Sequence, residues 1–296
     1  MNNRYYGCLG HAGQGGKGAS RIVARRALIA LALAVSLVLG GMGPRGSANA
    51  AECTLKPGPS SRTAVRIIDG ETFALDDGST VRLIGALAPR RVESPDDQAI
   101  WPPEQDAQTA LERLVLGKPV ELEIGGRQTD RYGRVLAHAY VQDNGRRIWV
   151  QEQLLRHGNA RAYALRDSDA CMDALLAAER DARDAKSGLW AHAAYQIKSA
   201  DQIGGLLRER GSYQIVEGRV IDAADIRGQM FLNFGENWRT DFTASARPRE
   251  RKAIEDSGLD LKSLKGKRVR IRGWIDRRSG PAIELHHISQ IEVLTD

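Results

Sequence analysis

Alternation of apolar and polar residues organises this chain from residue 64 onward. Ala64-Val65-Arg66-Ile67-Ile68 and Phe73-Ala74-Leu75 read as strands. The turn Asp76-Asp77-Gly78-Ser79 leads into a third, Thr80 to Ile84. A loop rich in proline and charge follows from Pro89 to Pro103. Pro103 and Glu104 open a helix that runs to Leu116, with Ala107, Ala110, Leu111 and Leu114 on one face. Val120 to Ile124 and Val135 to Val141 alternate again, and Asp143-Asn144-Gly145 turns the chain into Arg147 to Val150. Helices are expected over 150–157 and 169–186.

This order predicts an α+β fold, mainly β with helices. A five-stranded OB-type barrel with helices is expected over 51–192. Residues 193–212, with Gly204-Gly205 and Gly211, read as a linker or a short docking helix. A second, smaller OB-like β-barrel is expected over 213–296. Its strands are placed at 213–221, 230–234, 238–243, 268–275 and 283–293, and its helix near 249–256.

Residues 1–50 have another character. Arg4, Lys17, Arg21, Arg25 and Arg26 precede a small-apolar run from Ala27 to Leu39, and Ala48-Asn49-Ala50 offers small residues for cleavage before Ala51. The run is shorter than the roughly 20 residues of a spanning helix. A cleaved signal peptide and a periplasmic or secreted location follow, an uncleaved anchor being the other reading. The leader holds six of the 43 Lys and Arg and none of the 37 acids. The remaining chain therefore balances at 37 of each sign, and any footprint for a polyanion has to be a local patch. Cys53 and Cys171 remain as an even pair in an oxidising compartment, which predicts a disulfide between them; two buried free thiols are the alternative.

The chemistry concentrates in short runs. Ile68-Asp69-Gly70-Glu71-Thr72, Val81-Arg82-Leu83, Pro89, Thr129-Asp130-Arg131-Tyr132-Gly133-Arg134, Ala160-Arg161-Ala162-Tyr163 and Gly188-Leu189-Trp190 come in that order. Together they resemble the thermonuclease (staphylococcal-nuclease-like) family over about half the chain, and the Thr-Asp-Arg-Tyr-Gly-Arg run is the specific part. The family's members are calcium-dependent endonucleases of DNA and RNA, with degenerate members that keep the fold as a binding module. The resemblance implies that Arg82 and Arg134 grip phosphate, a role suited to the planar fork of a guanidinium. Glu71 stands at a calcium-ligating aspartate, where its extra methylene still permits a ligand role. Tyr132 matches a tyrosine on a terminal phosphate, and Tyr163 one that stacks on a base. Two positions depart from the family. Leu87 occupies the place of its second metal carboxylate, and Arg90 that of its general-base glutamate. Neither residue type performs those tasks.

Two further sets of residues have competing readings. Glu93, Asp96 and Asp97 follow in the loop, either as a rebuilt acid set or as a solvated acidic stretch. Arg268, Arg270, Arg272 and Trp274 share one face of a predicted strand, as cations and an aromatic do where single strands are bound. The alternative is a solvated strand face neutralised by Glu284 and Glu292.

The expectation is an exported protein that binds single-stranded DNA, RNA or another phosphodiester anion through the arginine pair, with hydrolysis weak or lost. Calcium is a doubtful cofactor. The rivals are an active calcium-dependent endonuclease rebuilt around Glu71 and a loop acid, and a non-enzymatic envelope interaction protein.

Overall fold

Five strands close on themselves in the first part of the chain. The computed structural model describes Cys53, residues 55–93 and residues 101–295. The expected signal segment and the loop acids Asp96 and Asp97 lie outside the described residues. The elements run β1 (Lys56–Pro57), β2 (Arg62–Asp69), β3 (Thr72–Leu75), β4 (Thr80–Leu83), β5 (Gly85–Leu87), α1 (Pro102–Val115), β6 (Pro119–Ile124), β7 (Val135–Asp143), β8 (Arg146–Trp149), α2 (Val150–Arg156), β9 (Arg161–Tyr163) and α3 (Met172–Asp184). β2 pairs with β3, β3 with β4, β4 with β7 in parallel, β7 with β6, and β6 back with β2. This is the closed barrel that the alternation predicts. Phe73, Val81, Leu83, Val120, Ala139 and Val141 fill its interior.

Helices seal the barrel. α1 buries Ala107, Leu111 and Val115, and Pro at its start costs nothing because the first N–H groups of a helix have no internal partner. Gln151 of α2 is fully buried and acts as a polar tie. Its oxygen accepts from the Ala139 N–H at 3.1 Å, and its amide donates to the carbonyls of Ile84 and Ala137 at 3.2 and 2.9 Å. The amide thereby ties Ile84, between β4 and β5, to β7. Cys53 is bonded to Cys171 at the start of α3, across 118 residues, as the even pair predicts.

The second part runs β10 (Lys198–Ser199), α4 (Ile203–Arg208), β11 (Tyr213–Arg219), β12 (Asp222–Ile226), β13 (Gln229–Asn233), β14 (Thr243–Ala246), α5 (Pro248–Asp256), β15 (Arg268–Trp274), β16 (Asp276–Arg278), β17 (Gly280–Glu284) and β18 (Ile291–Val293). Residues 193–212 are structured: Tyr195 is buried with Trp101 and Trp190, and β10 pairs with β11. The strands form two sheets, β10-β11-β15-β18 and β12-β13-β14-β17-β16, over a core that includes Val216, Leu232, Phe242 and Ile271. Pairing that would close a second barrel is not present among the described residues.

The reason lies at the corners. The strand expected over 283–293 breaks at His286-His287, where Gln290 accepts both backbone N–H groups, at 2.5 and 3.0 Å, and starts a one-turn 3-10 helix. The chain thereby passes from one sheet to the other. Where a strand was expected over 238–243, Asp241 accepts the Asn237 N–H at 2.8 Å in a turn, and β14 begins only at Thr243.

Candidate functional site

The turn between β2 and β3 places the first functional side chain. Asp69 accepts the Glu71 N–H at 2.9 Å and fixes the turn. Gly70 is required by close approach, because a Cβ there would lie 2.8 Å from the Cβ atoms of both Ala88 and Ala107. α1 and the loop after β5 thus press directly on this turn. Glu71 beneath them is 1% exposed.

A buried carboxylate needs partners, and Glu71 has three. Its Oε2 accepts the Ala88 N–H at 2.8 Å. Its Oε1 accepts from Arg90 Nη2 at 2.8 Å and from Arg82 Nη2 at 3.0 Å. Arg82 lies on β4 directly opposite Thr72, the residue after Glu71, which explains the reach. Arg90 comes from the loop that follows Pro89. The Arg82 side chain is mostly buried, while Arg90 is 46% exposed. Two buried polar atoms at this place, Arg82 Nε and Thr72 Oγ1, have no partner among the described residues.

Arg134 is reached through the barrel's parallel pair. Arg82 is in register with Leu136, so Arg134 stands two residues earlier on the neighbouring strand's approach. Asp130 organises that approach. It accepts the backbone N–H groups of Tyr132 and Arg134 at 2.9 and 3.0 Å, and Arg134 Nε and Nη2 both reach its Oδ2 at 2.7 Å. Burial works against the Asp130 carboxylate, but the Arg134 side chain and these two N–H groups hold its pKa below the ordinary value. Tyr132 projects into solvent, 67% exposed, with the Arg131 guanidinium 4.7 Å from its ring centroid and that of Arg134 5.4 Å from it.

The remaining candidates sit elsewhere. Leu87 on β5 is buried, paired in register with Arg161 of β9. Glu93 is engaged at both oxygens, by Arg161 Nη2 at 2.7 Å and by the Tyr195 hydroxyl at 2.8 Å. Tyr163 packs edge-on against Tyr213 and Trp274, with centroids 5.4 and 6.5 Å away. Arg268 and Arg270 both bond to Glu217, and Arg270 also reaches Glu292 at 3.4 Å. Arg272 is buried and ion-paired with Glu179 of α3. The strand face therefore carries arginines bound to carboxylates, with Glu292 neutralising as the sequence suggested. Glu284 turns instead to Arg247 and Arg278.

The donor set does not suit calcium. That ion takes six to eight oxygens. Here three of the four lone-pair positions of Glu71 are occupied, Leu87 stands where the resemblance places a second metal carboxylate, and Arg90 sets a positive charge beside Glu71. No group of three or more His, Cys, Asp or Glu among the described residues is placed to hold a metal. Sequence reasoning saw Arg90 only as a lost base and missed it as a partner of Glu71. The question that finds it is what neutralises an acid in a turn covered by α1 and the loop after β5.

Comparison with known proteins agrees with the barrel. Residues 80–192 match the family described as staphylococcal nuclease homologue. The chain is 28% identical over 174 residues to a thermonuclease of Staphylococcus hyicus, covering 58% of this chain and 95% of that protein. It is 31% identical over 132 residues to an uncharacterized endonuclease of Escherichia coli, covering 44% of this chain and 76% of that protein. Endonuclease YncB of Bacillus subtilis (strain 168) is 31% identical over 138 residues, 45% of this chain and 63% of that protein.

Proposed function

This chain belongs to the staphylococcal nuclease homologue family, and from that premise we propose that it is a binding member whose cutting machinery has been replaced. Its ligand is the phosphodiester backbone of single-stranded DNA or RNA, held by Arg82 and Arg134. Tyr132, exposed beside Arg134, adds a contact at the same rim. One observation carries the reading: Glu71, the acid in the metal position, is buried under two guanidiniums and a backbone N–H. Hydrolysis of a phosphodiester needs an activated water, which a base or a metal-bound hydroxide supplies. Arginine at 90 supplies neither. Glu93, the acid of the rebuilt-site alternative, is committed to Arg161 and Tyr195.

The Cys53–Cys171 bond suits an oxidising compartment, which supports export to the periplasm or the medium. The test is binding of a labelled single-stranded oligonucleotide to the purified protein and to the Arg82→Ala/Arg134→Ala variant. Losing two phosphate contacts should weaken binding and lower the salt slope by about 1.4. A double variant that binds as the parent does would sink the proposal.

A further inference from the structure

We infer that the Arg82–Glu71–Arg90 triad makes phosphate binding at this site independent of any divalent cation, with Arg90 as a third phosphate ligand. This rests on the clamp reading above and adds to it a residue and a requirement.

The unspent hydrogen-bonding capacity of the site decides which kind of ligand it can take. A metal ion needs free lone pairs, and an anion needs free donors. Glu71 has given Oε1 to two guanidinium nitrogens and one side of Oε2 to the Ala88 N–H. Asp69, the neighbouring acid, has given Oδ1 to the Glu71 N–H. The donors are much less used. A guanidinium carries five N–H groups. The Arg90 bond to Glu71 takes one of them, and the side chain is 46% exposed. Arg82 Nε is buried without a partner among the described residues, opposite the equally unpartnered Thr72 Oγ1. What the site still offers is mainly N–H.

Geometry points the same way. Arg82 Nη2 and Arg90 Nη2 both lie within 3.0 Å of one oxygen, Glu71 Oε1. The two guanidiniums are therefore close enough for one phosphate group to accept from both. A carboxylate that fixes two arginine forks pre-organises them, so less side-chain freedom is lost when the anion arrives. Glu71 is thus a positioning residue. A divalent ion drawn to Glu71 would face two fixed positive charges a few ångströms away and would have to displace them, leaving the mostly buried Arg82 without its counter-charge. The acids that act on Arg90 are Glu71, Asp69 and Glu93, and Glu93 is itself bound to Arg161.

The experiment is a binding titration of a fluorescent single-stranded oligonucleotide in excess calcium and in excess chelator, repeated across salt concentrations. The parent protein should bind equally in both conditions, within about twofold. Arg90→Ala should weaken binding and lower the salt slope by about 0.7, the value of one single-strand phosphate contact. Arg90→Lys keeps a positive charge beside Glu71 and should retain the slope, which separates loss of a phosphate contact from loss of fold. Binding that needs calcium would overturn this inference while leaving the clamp standing, as would an Arg90→Ala protein with unchanged affinity and slope. Binding in neither condition would remove the clamp reading itself, and this inference with it.

Discussion

Arg272 of β15 and Glu179 of α3 form a buried ion pair that locks the second part of the chain onto the barrel's last helix. Their side chains are 4% and 0% exposed. Arg183 to Glu292, at 3.1 Å, and the Tyr213 hydroxyl to the Ala162 carbonyl, also at 3.1 Å, reinforce the contact. Removing one partner of a buried pair strands the other charge, at a cost of about 3–5 kcal/mol. Glu179→Ala and Arg272→Ala should each lose that much in urea denaturation. The apolar double replacement Glu179→Leu/Arg272→Met should fall within about 1–2 kcal/mol of the parent, because both desolvation penalties vanish together. Single variants as stable as the parent would show that the two parts do not depend on this contact.

That pair also marks how far the sequence could be read. The barrel was legible because Phe73, Val81, Leu83 and Val120 sit at the inward positions of short alternating strands between strong turns. Arg82 and Arg134 were legible because fixed runs surround them. The tertiary partner of each charge was not. Arg268, Arg270 and Arg272 share one strand face by simple alternation, yet which acid meets each depends on the register with β11 and on how α3 and β18 dock. The split of the second part into two sheets was likewise invisible: His286-His287 look like ordinary strand residues until Gln290 folds back on their N–H groups.

His138 on β7 gives a pH dependence. Burial beside Trp149 lowers its pKa from 6.5 to about 4, against a weaker opposite pull from the Ala170 backbone. Between those values the unfolded chain binds a proton that the folded chain excludes. Stability from this residue is therefore full above about pH 6.5 and is lost progressively as pH falls toward 4, by roughly 3 kcal/mol in all. His138→Phe should flatten that part of the stability–pH curve. An unchanged slope between pH 6.5 and 4 would contradict the assignment.

The disulfide should matter to stability more than to the site. Closing a loop of more than a hundred residues stabilises by about 4–5 kcal/mol in the chain-entropy view. Cys53→Ser/Cys171→Ser should lower the unfolding free energy by up to that amount in chemical denaturation, while oligonucleotide affinity below the transition stays that of the parent. Loss of binding in a folded double variant would place the bond in the site's own architecture.

Glu71→Gln tests the positioning role. The amide keeps an acceptor for one guanidinium but removes the charge that holds both, so stability should drop by about 2 kcal/mol. Oligonucleotide affinity should fall because the two arginine forks are no longer pre-organised, while the salt slope stays unchanged because no phosphate contact is removed. A collapse of the slope would make Glu71 part of the binding surface.

The most direct measurement is hydrolysis of heat-denatured DNA by the purified protein, with excess calcium and with chelator. A binding member whose metal position is filled by Glu71 under Arg82 and Arg90 should leave the DNA intact in both. Calcium-dependent cutting that disappears in Arg82→Ala would contradict the account and return the chemistry to Glu71 and the acids of the following loop.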